Sequence, residues 1–248
     1  MPDSANVAAT LGLIRARAPL VHNITNFVVT NLTANALLAV GASPAMVEGA
    51  DEVADFAARA DALVLNLGTL SPPRAAVAAG AIPTRAALGE DLLALRPAVV
   101  RGNASEIGAL AGVPTGAGRG VDSTAAPEAA LEAARLLARR TGTVVAVTGA
   151  VDYITDGTRI VALRNGHPMM TRVTGMGCTA TALIGACLAV QRDPLAAAVH
   201  GLTMLGVASE LAMPRASGPG SLQVELLDRL YALEPTQLAR LARITIMA

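Results

Sequence analysis

The chain has 248 residues, 53% of them hydrophobic and 15% charged, with 19 basic side chains set against 19 acidic ones. That is ample for one sizeable domain, residues 1–248, and short for two; zero net charge leaves no global field to draw it to nucleic acid or an anionic membrane. Aromatic residues make up 2%, without tryptophan, so no stacking platform for single-stranded nucleic acid is expected.

There is no lysine, so every basic contact must come from arginine. Cys178 and Cys187 are too few for a disulfide framework, and a reducing cytoplasm is the expected location. Met1-Pro2-Asp3-Ser4 lacks the basic region and apolar core of a secretory signal. Mean hydropathy is high at +0.50, yet no run reaches the roughly 20 uninterrupted apolar residues of a membrane span. Buried helices and a subunit interface are the expected homes for that apolar surface.

Val7, Leu11 and Ile14 lie on one face of a helix predicted over 5–16, which Pro19 stops. Residues 20–26 read as a short strand delivering His22, Asn23, Thr25 and Asn26 to its carboxyl end, where open α/β sheets bind ligands; a helix over 27–40 follows, and Asn23 and Asn26 could equally serve as its caps. A strand and turn over 41–46 bring Met46, a soft apolar side chain that suits a pocket wall or plain core. A helix over 50–60 and a buried strand over 62–70 come next, then the breakers Pro72 and Pro73.

Residues 97–106 are a strand breaking into a helix, with Asn103 and Glu106 three apart on one face. An amide beside an acid can hold magnesium through water, and Arg101 can meet phosphate oxygens. The same spacing also makes a capping box, and the two roles can coexist. A glycine and polar loop over 116–124, a helix over 127–140 and a buried strand over 143–149 ending in Thr148-Gly149 follow. Residues 152–157 are then expected to turn into a strand over 159–163, an antiparallel pair at the edge, with Asn165-Gly166 as a hairpin turn.

Val173-Thr174-Gly175-Met176-Gly177-Cys178-Thr179 is a glycine-hinged turn running into a small-residue helix that reaches residue 190. Gly175 and Gly177 let the backbone approach a ligand, and the helix aims unpaired N–H groups and its positive dipole end at that point, a seat for an anion. Cys178 is the side chain there able to exchange a proton, and the dipole favours its thiolate. As a dinucleotide turn, Gly175-x-Gly177 is misplaced, since that fingerprint belongs beside the first strand. Helices over 194–210 and 222–230, a loop over 217–221 and a terminal strand over 242–247 complete the chain.

Strands ending in polar turns, an Asn-x-x-Glu helix start and a late glycine turn resemble the ribokinase-like α/β kinases: a mostly parallel central sheet flanked by helices. The blocks PLVHNITNFVVTN, GASPAM, VLNLGTL, RGNASEI, GRGVDS, VTGAVDYI, NGH, VTGMGC and SGPGS, in this order, closely resemble the hydroxyethylthiazole kinase family. The resemblance implies ATP-dependent phosphorylation of the primary alcohol of 4-methyl-5-(2-hydroxyethyl)thiazole in thiamine salvage, with magnesium, by a cytoplasmic homotrimer whose active sites lie between subunits. Residue by residue it implies Met46, Gly175 and Asn23 for the thiazole, Arg101 and Thr148 for ATP, Glu106 and Asn103 for magnesium and its waters, Gly175 to Cys178 as the anion hole, and Cys178 as the base.

The resemblance fails at one place. Between residues 70 and 99 the family carries a helix, a strand reading like VPVVLDPVGAGA and a second helix, and here roughly twenty residues of that stretch, including the strand and its aspartate, are missing. Asp91 is no replacement, since it falls inside the following helix. Either the neighbouring strands close up, another segment fills the gap, or the protein carries residues that this sequence lacks. Ala150 also stands where relatives often carry glutamate. The alternative function is therefore a catalytically impaired relative that binds thiazole or nucleotide.

Overall fold

In the computed structural model, residues 3–66, 85–113 and 127–247 are described; the loop predicted over 116–124 and the end of the strand predicted over 62–70 lie outside them. Helix α1 (Ser4–Arg17) buries Val7, Leu11 and Ile14 completely, as their spacing requires. Asp3 caps it by accepting from the Asn6 N–H at 2.8 Å. Strand β1 (Leu20–Ile24) follows. Helix α2 (Thr30–Val40) starts three residues later than expected, because Asn26 to Val29 form a turn closed by the Val29 N–H on the Asn26 carbonyl. Strand β2 (Ser43–Ala45), helix α3 (Val53–Ala57) and strand β3 (Ala62–Leu65) complete the first part.

Helix α4 (Arg85–Ala94) leads to strand β4 (Val99–Asn103), helix α5 (Ala104–Ala111), helix α6 (Pro127–Thr141) and strand β5 (Val144–Thr148). Strands β6 (Asp152–Thr155) and β7 (Ile160–Leu163) form the expected antiparallel pair. They turn at Asp156-Gly157, as expected, whereas Asn165-Gly166 makes no hairpin: the Asn165 amide bonds Glu210 and the Leu241 carbonyl, and the chain runs on into a 3-10 turn, Pro168–Arg172. Helices α7 (Met176–Leu188), α8 (Pro194–Ala212), α9 (Pro219–Tyr231), whose first residues take up most of the expected loop, and α10 (Pro235–Leu241) precede strand β8 (Ile244–Met247). Strand β8 pairs outside β7 and takes its place at the edge.

The described strands form two sheets, a parallel trio in the order β2-β1-β3 and a five-stranded sheet in the order β4-β5-β6-β7-β8. The strand expected to be missing between β3 and β4 falls where residues 67–84 lie outside the described ones, and among the described strands β3 and β4 are not paired. Strands β3 and β4 are only half covered: Leu63 on β3 is 47% exposed, and in β4 only Gly102 is buried, whereas β7 is buried throughout. At their amino ends a cleft of about 600 Å³ opens among Ala62, Leu63, Ala98, Leu188 and Val190.

Strand β5 shows why two layers of helix are needed. Val144 and Ala146 join the main core with α7 and α8, while Val145 and Val147 join a second cluster with α5 and α6 on the other face. Close contact fixes α7: a Cβ on Gly201 would lie 2.7 Å from the Ile184 backbone, and one on Gly185 2.6 Å from Val64 of β3. The one stretch among the described residues long and apolar enough to cross a membrane, Pro194–Arg215, is mostly buried as the central helix of this core.

Candidate active site

Strands β1 and β3 run in parallel register, Asn23 opposite Val64 and Ile24 opposite Leu65, and the Asn66 N–H continues the ladder onto the Ile24 carbonyl. Their carboxyl ends therefore present Asn26 and Asn66 side by side, facing the start of α7. Both carboxamides donate to the Cys178 sulfur, Asn66 Nδ2 at 2.8 Å and Asn26 Nδ2 at 3.5 Å. Cys178 is half-buried, whereas Cys187 is fully buried and its thiol is pushed up by burial alone.

Gly175 caps α7 with φ +92°, a backbone that favours glycine, and a Cβ there would lie 2.8 Å from Val29. No side chain caps the helix, which leaves its first N–H groups directed at the turn. The Arg101 guanidinium rests on Gly177, where a Cβ would fall 2.5 Å from Nη1. The same guanidinium donates to the Thr148 hydroxyl through Nη2. Arg101, Thr148 and Gly177, widely separated in sequence, thus meet at the mouth of α7.

The electrostatics of this corner come from few groups. Burial lowers the Arg101 pKa, and Glu106, Asp152 and Cys178 oppose that shift in decreasing order. Burial also pushes the Asp152 carboxyl up to about 6, against the Gly149 N–H that it accepts at 2.9 Å and against Arg101.

Asn103 and Glu106 form the capping box of α5: the Glu106 N–H donates to Asn103 Oδ1 at 2.9 Å, and the Asn103 N–H to Glu106 Oε2 at 2.8 Å. Asn103 Oδ1 takes a further bond from the Ser105 hydroxyl at 2.7 Å. The amide oxygen is thus committed to its own helix, while Glu106, exposed, keeps Oε1 outside the box. No cluster of three or more metal-ligating side chains occurs among the described residues. One carboxylate beside a polyphosphate suits magnesium, which keeps several waters and takes phosphate oxygens.

On the other side, Met46 follows β2 at the level of Asn23 on the paired strand. His22, fully buried against Phe56, donates from Nε2 to the Val47 carbonyl at 2.6 Å and so pins the turn that carries Met46. Asn23 is 1% exposed; its Nδ2 donates to the Val21 carbonyl at 3.0 Å, and its Oδ1 has no partner. No hydrogen bond ties Asn23 or Met46 to Gly175 or Cys178.

Three participants were missed from sequence: Asn66, Asn26 as a partner of the thiol, and Asp152. The available signal for Asn66 was a lone amide ending the apolar run Leu63-Val64-Leu65. For Asp152 it was an acid three residues beyond the Gly of a Thr-Gly strand end.

The sequence profile of the hydroxyethylthiazole kinase family matches residues 11–78 and 75–236. A hydroxyethylthiazole kinase of Granulibacter bethesdensis is 62% identical over 94% of this chain and 92% of its own. The chain belongs to the hydroxyethylthiazole kinase family. A Cronobacter sakazakii member is 50% identical over 92% of this chain and 93% of its own. The solved structure of the Pyrococcus horikoshii OT3 protein superposes with a TM-score of 0.87 at 39% identity, covering 98% of this chain and 99% of that one. Staphylococcus aureus pyridoxal kinase in complex with ADP, at 15% identity and a TM-score of 0.55 over 76% of this chain and 86% of its own, shares the fold. The fold is α/β, shared with pyridoxal kinase, and the family is one of kinases.

The same comparisons locate the missing stretch. The Granulibacter alignment runs over 253 positions, yet 94% of 248 residues is about 233, so about twenty positions of the relative face no residue here. The two family matches meet at residues 75–78, inside the interval where the strand is missing from the sequence.

Proposed function

We propose that the protein transfers the terminal phosphoryl group of ATP to the primary alcohol of 4-methyl-5-(2-hydroxyethyl)thiazole, in the salvage of thiamine. One observation carries this reading: an uncapped helix start gathers, within one corner, a half-buried arginine paired with Thr148 and a thiol held by two carboxamides. The first pair suits a polyphosphate, and the thiol suits an alcohol that must give up a proton.

Cys178 takes the proton of the alcohol as the hydroxyl oxygen bonds to phosphorus and the bond from phosphorus to the ADP oxygen breaks. A loose phosphoryl transition state asks little of a base, so most of the rate comes from holding and neutralising charge. Arg101 and the N–H groups of Gly177 and Cys178 hold the transferred group, and Thr148 fixes the guanidinium. Glu106, through Oε1, and Asn103, through water alone, would hold magnesium, which when bound neutralises phosphate charge. Asn23, Met46 and Gly175 wall the thiazole.

A single domain carries both substrates, and we place it in the cytoplasm, where its two free thiols stay reduced. Phe27 and Val28, 65% and 74% exposed directly after Asn26, with Val224 of α9 61% exposed, support a homotrimer with sites between subunits. The test is ADP formation with magnesium, with and without the thiazole alcohol. Thiazole-dependent ADP is expected; thiazole binding without turnover would favour the impaired relative, and ATP consumption indifferent to the alcohol would end the substrate reading.

A further inference from the structure

The Cys178 sulfur is bonded from two separate strands, and the donors are amides, which carry no charge and cannot take its proton. Asn66 lies at the carboxyl end of β3 and Asn26 just beyond β1, each directing Nδ2 at Sγ, at 2.8 and 3.5 Å. The Asn66 backbone is locked to Ile24 by the β-ladder, so its side chain starts from a fixed point. The Asn26 backbone is held as firmly, its carbonyl accepting from the Val29 N–H and the Thr30 hydroxyl. Two donors on one sulfur fill two of its acceptor directions and leave the remaining lone pair aimed away from both amides. They also favour the sulfur when it carries negative charge, since a hydrogen bond to a charged group is worth more than one to a neutral group.

We propose that Asn66 and Asn26 are positioning residues for the transfer step, a pair of amide donors that orients the Cys178 sulfur toward the substrate hydroxyl and stabilises its thiolate. This rests on the assignment of Cys178 as base, but the amide clamp can be read without any kinase reaction. Cys187 is fully buried, which makes Cys178 the one accessible thiol and leaves Cys187 as an internal marker of unfolding.

The experiment measures the rate at which iodoacetamide modifies each cysteine, by peptide mass, in the ligand-free protein and in Asn66→Asp, Asn66→Ser and Asn26→Asp, beside kcat and KM for both substrates. Asn66→Asp replaces a donor with a negative acceptor, and is expected to slow Cys178 alkylation about ten- to hundredfold. It should lower kcat by up to about tenfold, no more than the loss of the base itself, at unchanged KM for ATP. Asn66→Ser, which keeps a shorter donor, should recover part of both, and Asn26→Asp should repeat the pattern more weakly, as its longer bond implies.

Cys187 must stay unmodified throughout; a variant in which it reacts is judged by its counterpart on the other strand. Alkylation of both aspartate variants at the wild-type rate would overturn the clamp. Slowed alkylation with unchanged kcat would overturn the positioning role. Slowed alkylation in a protein that never forms thiazole-dependent ADP upholds the clamp and removes the proposed function alone.

Discussion

The two sheets meet the site with different chemistry. The carboxyl ends of the three-stranded sheet bring neutral groups, Asn23, Asn26, Met46 and Asn66, with buried His22 pinning the turn that carries Met46. Those of β4 and β5, with the residues that follow them, bring charge: Arg101, Glu106 and Asp152 around Thr148. A neutral heterocycle needs shape and a few amides, whereas a polyphosphate needs cations and a carboxylate for its metal, so the division matches the two proposed substrates. The start of α7 lies where they meet, with Cys178 bonded to the neutral side and Gly177 under the charged side. Among the described residues each sheet thus carries its own set of groups.

The largest effect should come from the charged side. Glu106→Gln retains an amide that can still serve the α5 capping box and removes only the negative charge. We expect kcat to fall about a hundred- to a thousandfold with the melting temperature kept. Glu106→Ala should lose the same activity and about 1 kcal/mol of stability with the cap. If Glu106→Gln turns over at the wild-type rate, Glu106 is a cap and nothing more, and the charged side has no metal-binding acid.

The charged side was also the more legible in the sequence. Arg101, Asn103, Glu106 and Thr148 follow from two strands ending in polar turns, and β4 and β5 pair Asn103 with Thr148 in register. The capping box could be read from spacing because both partners lie within one helical turn. Asn66 and Asn26 could not, since their common partner Cys178 is more than a hundred residues away and hydrophobic periodicity carries no information about such pairing. Asn165-Gly166 misled for the same reason: its turn propensity is real, but Glu210 and Leu241 claim the side chain. Between β3 and β4 the sequence showed only a shortfall of residues; the half-covered faces of these two strands and the cleft at their amino ends needed coordinates.

An effect next in size concerns the tie beneath the sheets. His200 on α8 is fully buried and donates from Nδ1 to the Thr10 hydroxyl of α1, at 2.8 Å, while Thr10 donates to the Asn6 carbonyl. Nε2 has no partner, and burial lowers the pKa to about 4, with Asp3 and Asp193 pulling upward. The folded value lies below the unfolded one, near 6.5, so the unfolded chain binds the extra proton between them. Stability from neutral His200 is thus complete above pH 6.5 and lost as pH falls toward 4, by about 3 kcal/mol in all. Asp152, raised to about 6, acts with the opposite sign over roughly pH 4 to 6. Comparing His200→Gln with the wild type in urea unfolding at pH 7 and 4.5 isolates the histidine. The variant should lose less stability on acidification, and parallel losses would show that the buried imidazole is not responsible.

The smallest effects should come from Cys178 itself, where the two sides join. Cys178→Asp places a carboxylate acceptor before the same two amides, so Asn66 and Asn26 can hold it as they hold the sulfur, and it ionises readily at neutral pH. Turnover should be kept or raised. Cys178→Ser keeps the donor geometry but offers a hydroxyl that scarcely ionises, and should lose about tenfold, well under the loss from Glu106→Gln, because the proton moves late in a loose transition state. A dead aspartate variant would remove Cys178 as the base. A serine variant crippled more than Glu106→Gln would reverse the ranking of the two sides, making proton removal rather than charge neutralisation the step that the site is built around.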